Sequence, residues 1–206
     1  MARPSNNQAR RQQITMSLAR VMARSGYERA TIAEVAREAE LTPGLLHYHF
    51  ANKLEILMAL VDHLAGRLET RYRARLEGAG SSPRQRLRAF LDALVATGPD
   101  ADPEAMACWV VIAGEAIRQE DVRLVYQRVI TRQKEALTEL ASDLLAAEGR
   151  SIEAAPGMAL GLLCWVHGCY QLASAAPGTI PTGTAAPLLH QMVDQLLASA
   201  PPEAPR

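Results

Sequence analysis

The sequence lacks the features that would support secretion, a disulfide framework or catalysis. It contains three cysteines in 206 residues, and their spacing matches no disulfide framework, which favours a reducing compartment. The first residues are polar and arginine-rich with no apolar run behind them, so we expect no secretory signal and a cytoplasmic protein. The chain also has no nucleophile and base constellation, phosphate-binding loop or metal-ligand spacing. We therefore expect no enzyme, no metal site and no cofactor.

Net charge is absent overall but not locally. The chain has 22 basic and 22 acidic residues, a balance that argues against a generic nucleic-acid binder. Residues 1–75 nevertheless carry 12 Lys and Arg against 7 Asp and Glu, a net charge of +5, and the remainder carries −5. The arginines that precede the first acidic residue form a basic arm that either contacts phosphates or is a solvated terminus; they are Arg3, Arg10, Arg11, Arg20 and Arg24.

Strand patterns are missing as well. Alternation of period two does not persist over any useful length, whereas apolar residues recur at helical spacing along the whole chain. An all-α fold is therefore predicted. The apolar faces of the predicted helices include Ile14, Leu18, Val21 and Met22 in the first, Met106, Trp109, Val110, Ala113 and Ile117 in a middle one, and Leu188, Leu189, Met192, Val193, Leu196 and Leu197 in the last.

Residues 30–57 contain the most informative local signals. Thr31 and Glu34 form a capping box that predicts the start of one short helix. Thr42 followed by Pro43 predicts the start of a second, since proline is tolerated at the first helical position. Asn52 is predicted to cap a long third helix over about residues 52–77. Two short helices joined by a tight turn, with small and polar residues early in the second, are typical of a DNA-reading helix pair.

The runs T-I-A-E-V-A, L-T-P-G-L-L-H-Y-H-F and N-K-L-E-I-L resemble the DNA-binding domain of TetR-type transcriptional regulators. The resemblance implies an N-terminal three-helix helix-turn-helix head at residues 1–52. A connector helix at 53–77 would link it to a C-terminal helical effector and dimerisation domain at 84–199.

The resemblance also implies which residues meet DNA. Phosphate contacts are implied for Thr31, Thr42, Tyr48, His49 and Lys53, and base or groove contacts for Pro43, Gly44, Leu45 and His47. Two alternatives remain open, because His49 could instead cap or pack against the following helix and Lys53 could be a solvated charge.

The turn of the helix pair departs from the family pattern at Glu40. Glycine is usual where this chain has Glu40, and an aromatic residue is common where it has His47. We expect Glu40 to adopt a left-handed conformation at a cost of about 1 kcal/mol.

Aromatic residues with nearby polar groups mark a candidate effector pocket in the C-terminal half. The ligand-binding candidates are Trp109, Glu115, Tyr126, Trp165, His167 and Tyr170, with Gln171 and Cys164 as further polar groups. The alternative is that the aromatics are ordinary core and Glu115 is a surface or inter-helix partner. The stretch 109–115 resembles the effector domain of regulators of choline and betaine metabolism, although this resemblance does not extend to the ligand.

The segment 158–176 is apolar on almost every face. Its length is near that of a membrane span, but His167, Gln171 and several small residues argue for a buried helix and against a membrane. A helix that is apolar all round also suits a subunit interface, as does the final helix, so a homodimer is predicted. Cys164, His167 and Cys169 have poor zinc geometry, and the cysteines are expected to be buried structural residues.

Together these patterns predict a dimeric, ligand-responsive DNA-binding repressor that a small-molecule effector releases from a palindromic operator. A two-fold dimer would place its recognition helices roughly 34–36 Å apart. A ligand-dependent co-repressor and a constitutive architectural DNA-binding protein are the alternatives.

Overall fold

The computed structural model describes residues 6–79, 81–95 and 103–203, and this part of the chain is helical without a strand. Its single strand-like pairing there is an isolated antiparallel bridge between Arg150 and Pro202. The all-α prediction is therefore confirmed. The helices are α1 (Asn6–Arg29), α2 (Ile32–Glu38), α3 (Pro43–His49), α4 (Lys53–Ala79), α5 (Pro83–Val95), α6 (Pro103–Ala116), α7 (Glu120–Ala147), α8 (Ala155–Ala175) and α9 (Ala185–Ser199).

The chain divides into two compact units. The first comprises Met1–Gly66 and Ala107–Arg128, and the second comprises Arg67–Met106 and Val129–Arg206. The N-terminal head therefore shares its unit with most of α6 and the start of α7. The predicted boundaries at residues 52, 77 and 84 stay predictions.

In the first unit, α1 packs against α2 and α3. The predicted apolar face of α1 is buried, with Ile14 and Leu18 fully inaccessible. Gly26 interrupts α1 near its end with φ 78° and ψ 165°, a conformation that a residue with a Cβ rarely adopts. The helix axis of α1 is therefore kinked at Gly26, and its last three residues follow the kink.

The capping signals define the short helices as predicted. Thr31 and Glu34 form the capping box of α2, and the Thr42 hydroxyl accepts the amide of Leu45 at the start of α3. At the start of α4, the Asn52 side chain accepts the amide of Glu55 at 2.9 Å. The Glu55 carboxylate reaches back to the amide of Ala51 at 2.8 Å, one residue before the cap.

In the second unit, α5, α8 and α9 pack on one another. The Tyr170 hydroxyl of α8 donates to the carbonyl of Leu94 in α5 at 2.7 Å, and Arg88 of α5 pairs with Asp194 of α9 at 2.9 Å. These contacts join the three helices through a buried hydrogen bond and an exposed ion pair.

A few predicted core positions differ in the structure. Ile117 lies just beyond the end of α6 and is 86% exposed, because the helix ends before the apolar stripe does. Leu188 is 48% exposed. Residues 98–103, whose glycine and prolines predict the end of a helix, lie mostly outside the described residues.

Candidate nucleic-acid interface

The outer face of α3 is the most accessible surface among the predicted DNA contacts. Tyr48 is 76% exposed and Leu45 41%, and Pro43, Gly44 and His47 are exposed beside them. Leu46 and Phe50 are buried on the opposite side, so the helix is anchored by one face and presents the other. A Cβ added at Gly44 would meet no atom of the described residues within 4 Å.

Thr31 and Thr42 stand at the amino ends of α2 and α3, where free amides favour a phosphate. The Thr31 hydroxyl is engaged within its capping box, since it accepts from the Glu34 amide at 3.2 Å and donates to the Glu34 carboxylate at 3.3 Å. The Thr42 hydroxyl accepts the Leu45 amide at 3.2 Å. Both threonines therefore shape the helix starts, and their phosphate contacts stay predictions.

His49 is the last residue of α3 and is only 9% exposed. Its ring meets the Tyr48 ring edge-on at 5.1 Å, and its carbonyl accepts from Arg11. Its buried Nδ1 has no hydrogen-bond partner among the residues that the structure describes. This placement fits the packing alternative that the sequence left open. A phosphate contact from His49 stays a prediction that its burial does not support.

Lys53 has its ammonium group turned inward onto the end of α1. Nζ donates to the carbonyl of Tyr27 at 2.7 Å and to that of Glu28 at 3.3 Å, and it lies 4.2 Å from the centre of the Tyr27 ring. Burial lowers the pKa of Lys53, although the charges of Glu115 and Glu28 act in the opposite direction. The predicted phosphate contact from Lys53 would require these bonds to open.

Glu40 adopts the left-handed conformation that its position in the turn predicted, with φ 53°. Its amide donates to the Arg37 carbonyl at 3.1 Å, and the amide of Leu41 donates to the Ala36 carbonyl at 2.9 Å. These two bonds are the Schellman arrangement that ends many helices, in which glycine is the usual left-handed residue. The departure from glycine is therefore accommodated by strain at one exposed residue.

The basic arm is largely engaged within the head. Arg20 and Arg24 both bind the Glu38 carboxylate, at 2.7 and 2.6 Å, and their hydrogen bonds lower the pKa of Glu38. The Arg11 guanidinium lies 4.0 Å over the Phe50 ring. Arg10 is exposed and donates to Gln13 at 2.8 Å, and Arg3 lies outside the described residues. These partners favour a structural role for the three inner arginines.

The ligand-binding candidates fall into two sets. Trp109, Glu115 and Tyr126 belong to the first unit, with Trp109 and Glu115 buried and Tyr126 half-buried. Burial raises the pKa of Tyr126. The Glu115 carboxylate accepts the amide of Tyr27 at 3.1 Å, so this residue makes an inter-helix contact, as the alternative foresaw.

Trp165, His167 and Tyr170 belong to the second unit. The rings of His167 and Tyr170 meet at 5.4 Å, and the Nε2 atom of His167 lies 3.2 Å from Oε1 of Gln133. Burial lowers the pKa of His167. Gln133, which is 8% exposed, was not among the predicted site residues, although a glutamine between Val129 and Leu137 on the apolar face of α7 was a visible signal.

The cysteines differ from the expectation in one respect. Cys108 and Cys169 are buried, but Cys164 is exposed, so the prediction of buried cysteines is wrong for Cys164, which lies on an outer face of α8. Burial raises the pKa of Cys169 to about 11. Within the described ranges, no three His, Cys, Asp or Glu side chains are grouped closely enough to hold a metal ion.

The segment Ile152–Ala175 is long and apolar enough to cross a membrane by length and composition, and 39% of its most apolar stretch is buried. Core helices of soluble proteins pass the same test. This feature is therefore weak evidence for a membrane span.

Comparison with known proteins agrees with this geometry. Residues 14–60 match the model for bacterial regulatory proteins of the tetR family, and residues 83–198, more than half of the chain, match the model for the C-terminal domain of BetI-type transcriptional repressors. The HTH-type transcriptional regulator BetI of Burkholderia cenocepacia (strain HI2424) is 28% identical over 97% of this chain and 100% of its own.

Solved structures share the fold at lower identity. A protein from Pseudomonas aeruginosa PAO1 described as a transcriptional regulator has a TM-score of 0.82 and 20% identity, over 95% of this chain and 93% of that one. A regulator from Saccharomonospora viridis, solved in complex with choline, has a TM-score of 0.70 and 19% identity, over 92% of this chain and 95% of that one. With a helix-turn-helix head and a BetI-type C-terminal domain, the chain belongs to the TetR family of DNA-binding transcriptional regulators and is not an enzyme.

Proposed function

We propose that the protein is a dimeric repressor that binds a palindromic operator in the cytoplasm and is released from it by a small-molecule effector. The observation that carries the proposal is the exposed face of α3, capped by Thr42 and anchored by Leu46 and Phe50. A recognition helix of this kind enters the major groove by its amino-terminal half. The match to BetI-type repressors supports the sign of regulation.

The proposed base and groove contacts are Pro43, Gly44, Leu45 and His47, which lie in the exposed first turns of α3. Tyr48 is the best-placed phosphate contact of the predicted set, because its side chain is 76% exposed. We expect Tyr48→Phe to weaken binding to every duplex by a similar factor, because a phosphate contact carries no sequence information. His47→Ala should instead change the preferred sequence.

The proposed dimer uses the outer faces of α8 and α9. Leu160 and Leu172 of α8 and Leu188 of α9 are 52%, 43% and 48% exposed, which leaves apolar side chains in water on both helices. Leu160→Glu should yield monomers, measured by light scattering after size-exclusion chromatography. Leu124→Glu is a matched control, since Leu124 is also 52% exposed but lies on α7 in the other unit.

The experiment that tests the function is selection of bound duplexes from a random DNA pool at near-physiological salt without added ligand. Enrichment of one palindrome supports the repressor. Binding without enrichment, with a steep salt dependence, supports the architectural alternative. If no duplex binds until a compound is added, the protein is a ligand-dependent co-repressor.

The effector is proposed as a small molecule bound by the helical C-terminal domain. Choline is the first compound to test, because it occupies the related Saccharomonospora viridis structure and because aromatic side chains bind quaternary ammonium groups. Release of the selected duplex by choline, with no release by ethanol, would support a cationic effector.

A further inference from the structure

The end of α1 contains a residue whose backbone is held from both sides. The kink at Gly26 removes the Tyr27 amide from the helical pattern, and this amide donates to Oε1 of Glu115 at 3.1 Å. The carbonyl of the same residue accepts from Nζ of Lys53 at 2.7 Å. Tyr27 itself is 4% exposed. The Tyr27 carbonyl also accepts the backbone amide of Ala30 at 3.1 Å. Side chains from two other helices thus bind the backbone donor and acceptor of Tyr27, and we name Glu115, Tyr27 and Lys53 the Tyr27 clamp.

Glu115 occupies an unfavourable position for a carboxylate. It is 8% exposed and lies one residue before the end of α6, Pro103–Ala116, where the helix dipole disfavours negative charge. A buried charge needs hydrogen bonds that offset its lost hydration. The Tyr27 amide supplies one, and the Gln119 amide group lies 3.4 Å from Oε2. The Tyr27 contact is therefore central to keeping this carboxylate buried.

Lys53 links the clamp to the recognition helix. It is the first residue of α4 and follows the last residue of α3 by four positions. Its ammonium also lies over the Tyr27 ring, and the charges of Glu115 and Glu28 both favour its protonated form. A shift of Tyr27 would therefore displace the start of α4 and, through the short connection, the end of α3.

We propose that Glu115 and Lys53 are positioning residues for DNA binding, because together they fix the backbone of Tyr27 and with it the orientation of α3 on α1. In this role Lys53 does not contact phosphate. Through Glu115, a displacement of the α6 end would move Tyr27 and so the DNA-binding head. Neither Glu115 nor Lys53 touches DNA in this role.

Gly26 allows the clamp to be perturbed without changing either charged residue. A Cβ built at Gly26 would lie 2.8 Å from Oε1 of Glu115, closer than real contacts permit, and the positive φ adds strain. Gly26→Ala should therefore push the carboxylate away from the Tyr27 amide. In the Glu115→Ala background this contact is gone, so Gly26→Ala should cost less DNA affinity there than in the wild type.

The test measures binding of full-length variants to two labelled duplexes, the palindrome that the wild type enriches and a scrambled duplex of the same composition, over a range of salt. We expect Lys53→Met and Glu115→Ala each to lose about tenfold or more in affinity for the palindrome, since each removes a charge-assisted hydrogen bond. Affinity for the scrambled duplex and its salt dependence should stay unchanged. The double variant should lose no more than about the larger single loss.

Two controls separate positioning from charge and from folding. Lys134→Met removes the chain's other lysine, which is exposed on α7, and should leave both affinities unchanged. Glu115→Gln retains an oxygen that can accept the Tyr27 amide and should keep palindrome binding within about threefold of the wild type. Urea unfolding of each variant shows which are folded. If Glu115→Ala does not fold, the two single variants Lys53→Met and Glu115→Gln are used to test the proposal.

Three results would overturn the proposal. Equal losses on both duplexes with Lys53→Met, together with a fall in the salt slope of about 0.9 per subunit, would make Lys53 a phosphate contact. Unchanged palindrome binding by folded Glu115→Ala, or additive losses of affinity in the double variant, would show that Glu115 does not act with Lys53 in positioning α3. The proposed repressor function fails separately, when the wild type itself enriches no palindrome.

Discussion

Replacing Glu40 by glycine should stabilise the protein. Glu40 is the left-handed residue of the turn between α2 and α3, with φ 53°. Its amide and that of Leu41 close the two bonds to Arg37 and Ala36 that end α2. Because these bonds use only the backbone, Glu40→Gly should keep the turn intact and remove the clash of the side chain with its own backbone.

The size of the effect follows from two opposing terms. A residue with a Cβ loses about 1–2 kcal/mol in the left-handed region, whereas glycine in the unfolded chain has extra freedom that costs about 0.4–1 kcal/mol. The free energy of unfolding should therefore rise by about 0.5–1 kcal/mol.

The end of α7 provides the reverse experiment within the same chain. Gly149 has φ 64°, its amide donates to Ala146 at 3.2 Å, and the amide of Arg150 donates to Leu145 at 2.8 Å. A Cβ added at Gly149 would meet nothing within 4 Å. Gly149→Ala should therefore lose stability from backbone strain alone, by about the amount that Glu40→Gly gains.

Urea unfolding followed by circular dichroism measures both changes. Glu40→Gln is the control, because it removes the charge but keeps the strained backbone, and its stability should match that of the wild type. Backbone strain at Glu40 is ruled out if Glu40→Gly is no more stable than Glu40→Gln, or if Gly149→Ala unfolds at the wild-type urea concentration.

Three further predictions concern other described residues. Thr42→Ala should lower the free energy of unfolding by about 1 kcal/mol and Thr42→Ser should restore most of it, because the hydroxyl caps α3; unchanged stability in urea would contradict this. Phe50→Ala should cost about 3–5 kcal/mol, since its ring is 1% exposed, and a loss below about 1 kcal/mol in calorimetry would argue against a packed core there. Burial lowers the pKa of His167 from 6.5, so the unfolded chain takes up the proton first as pH falls; the stability that neutral His167 contributes is present above about pH 6.5 and is lost below it. His167→Gln should flatten this part of the pH profile, and an unchanged slope would refute the assignment.

The fold was predictable where short-range chemistry determines it. The capping box at Thr31 and Glu34 and the cap at Thr42 are side-chain bonds to amides three residues away, so the sequence contains both partners. The left-handed turn at Glu40 was predicted instead from the resemblance to TetR-type regulators, in which glycine is usual at this position. Ile117 was misplaced because apolar periodicity does not record where a helix ends, and α6 stops one residue earlier.

The exposed face of α3 was also predictable, since Leu46 and Phe50 mark its buried side and leave Pro43, His47 and Tyr48 outward. Whether His49 faces solvent was not, because it lies at the edge between the two faces, and its ring packs against Tyr48. A helical wheel gives the direction of each side chain from its own helix, but it does not show which residues of other helices lie beside it. The inward placement of Lys53 depends on one such neighbour, Tyr27.

The contact between Glu115 and Tyr27 shows what local patterns omit. The two residues are 88 positions apart, and neither belongs to a motif that names the other. The signals were separate: a glycine before the end of α1 and a carboxylate at the apolar end of α6, where the helix dipole disfavours it. Each is locally unfavourable, and each becomes favourable only when α6 and α1 meet. Two locally unfavourable residues that meet in the fold therefore indicate a contact that positions the DNA-binding head without touching DNA. Such pairs are the features to look for in other regulators of this family.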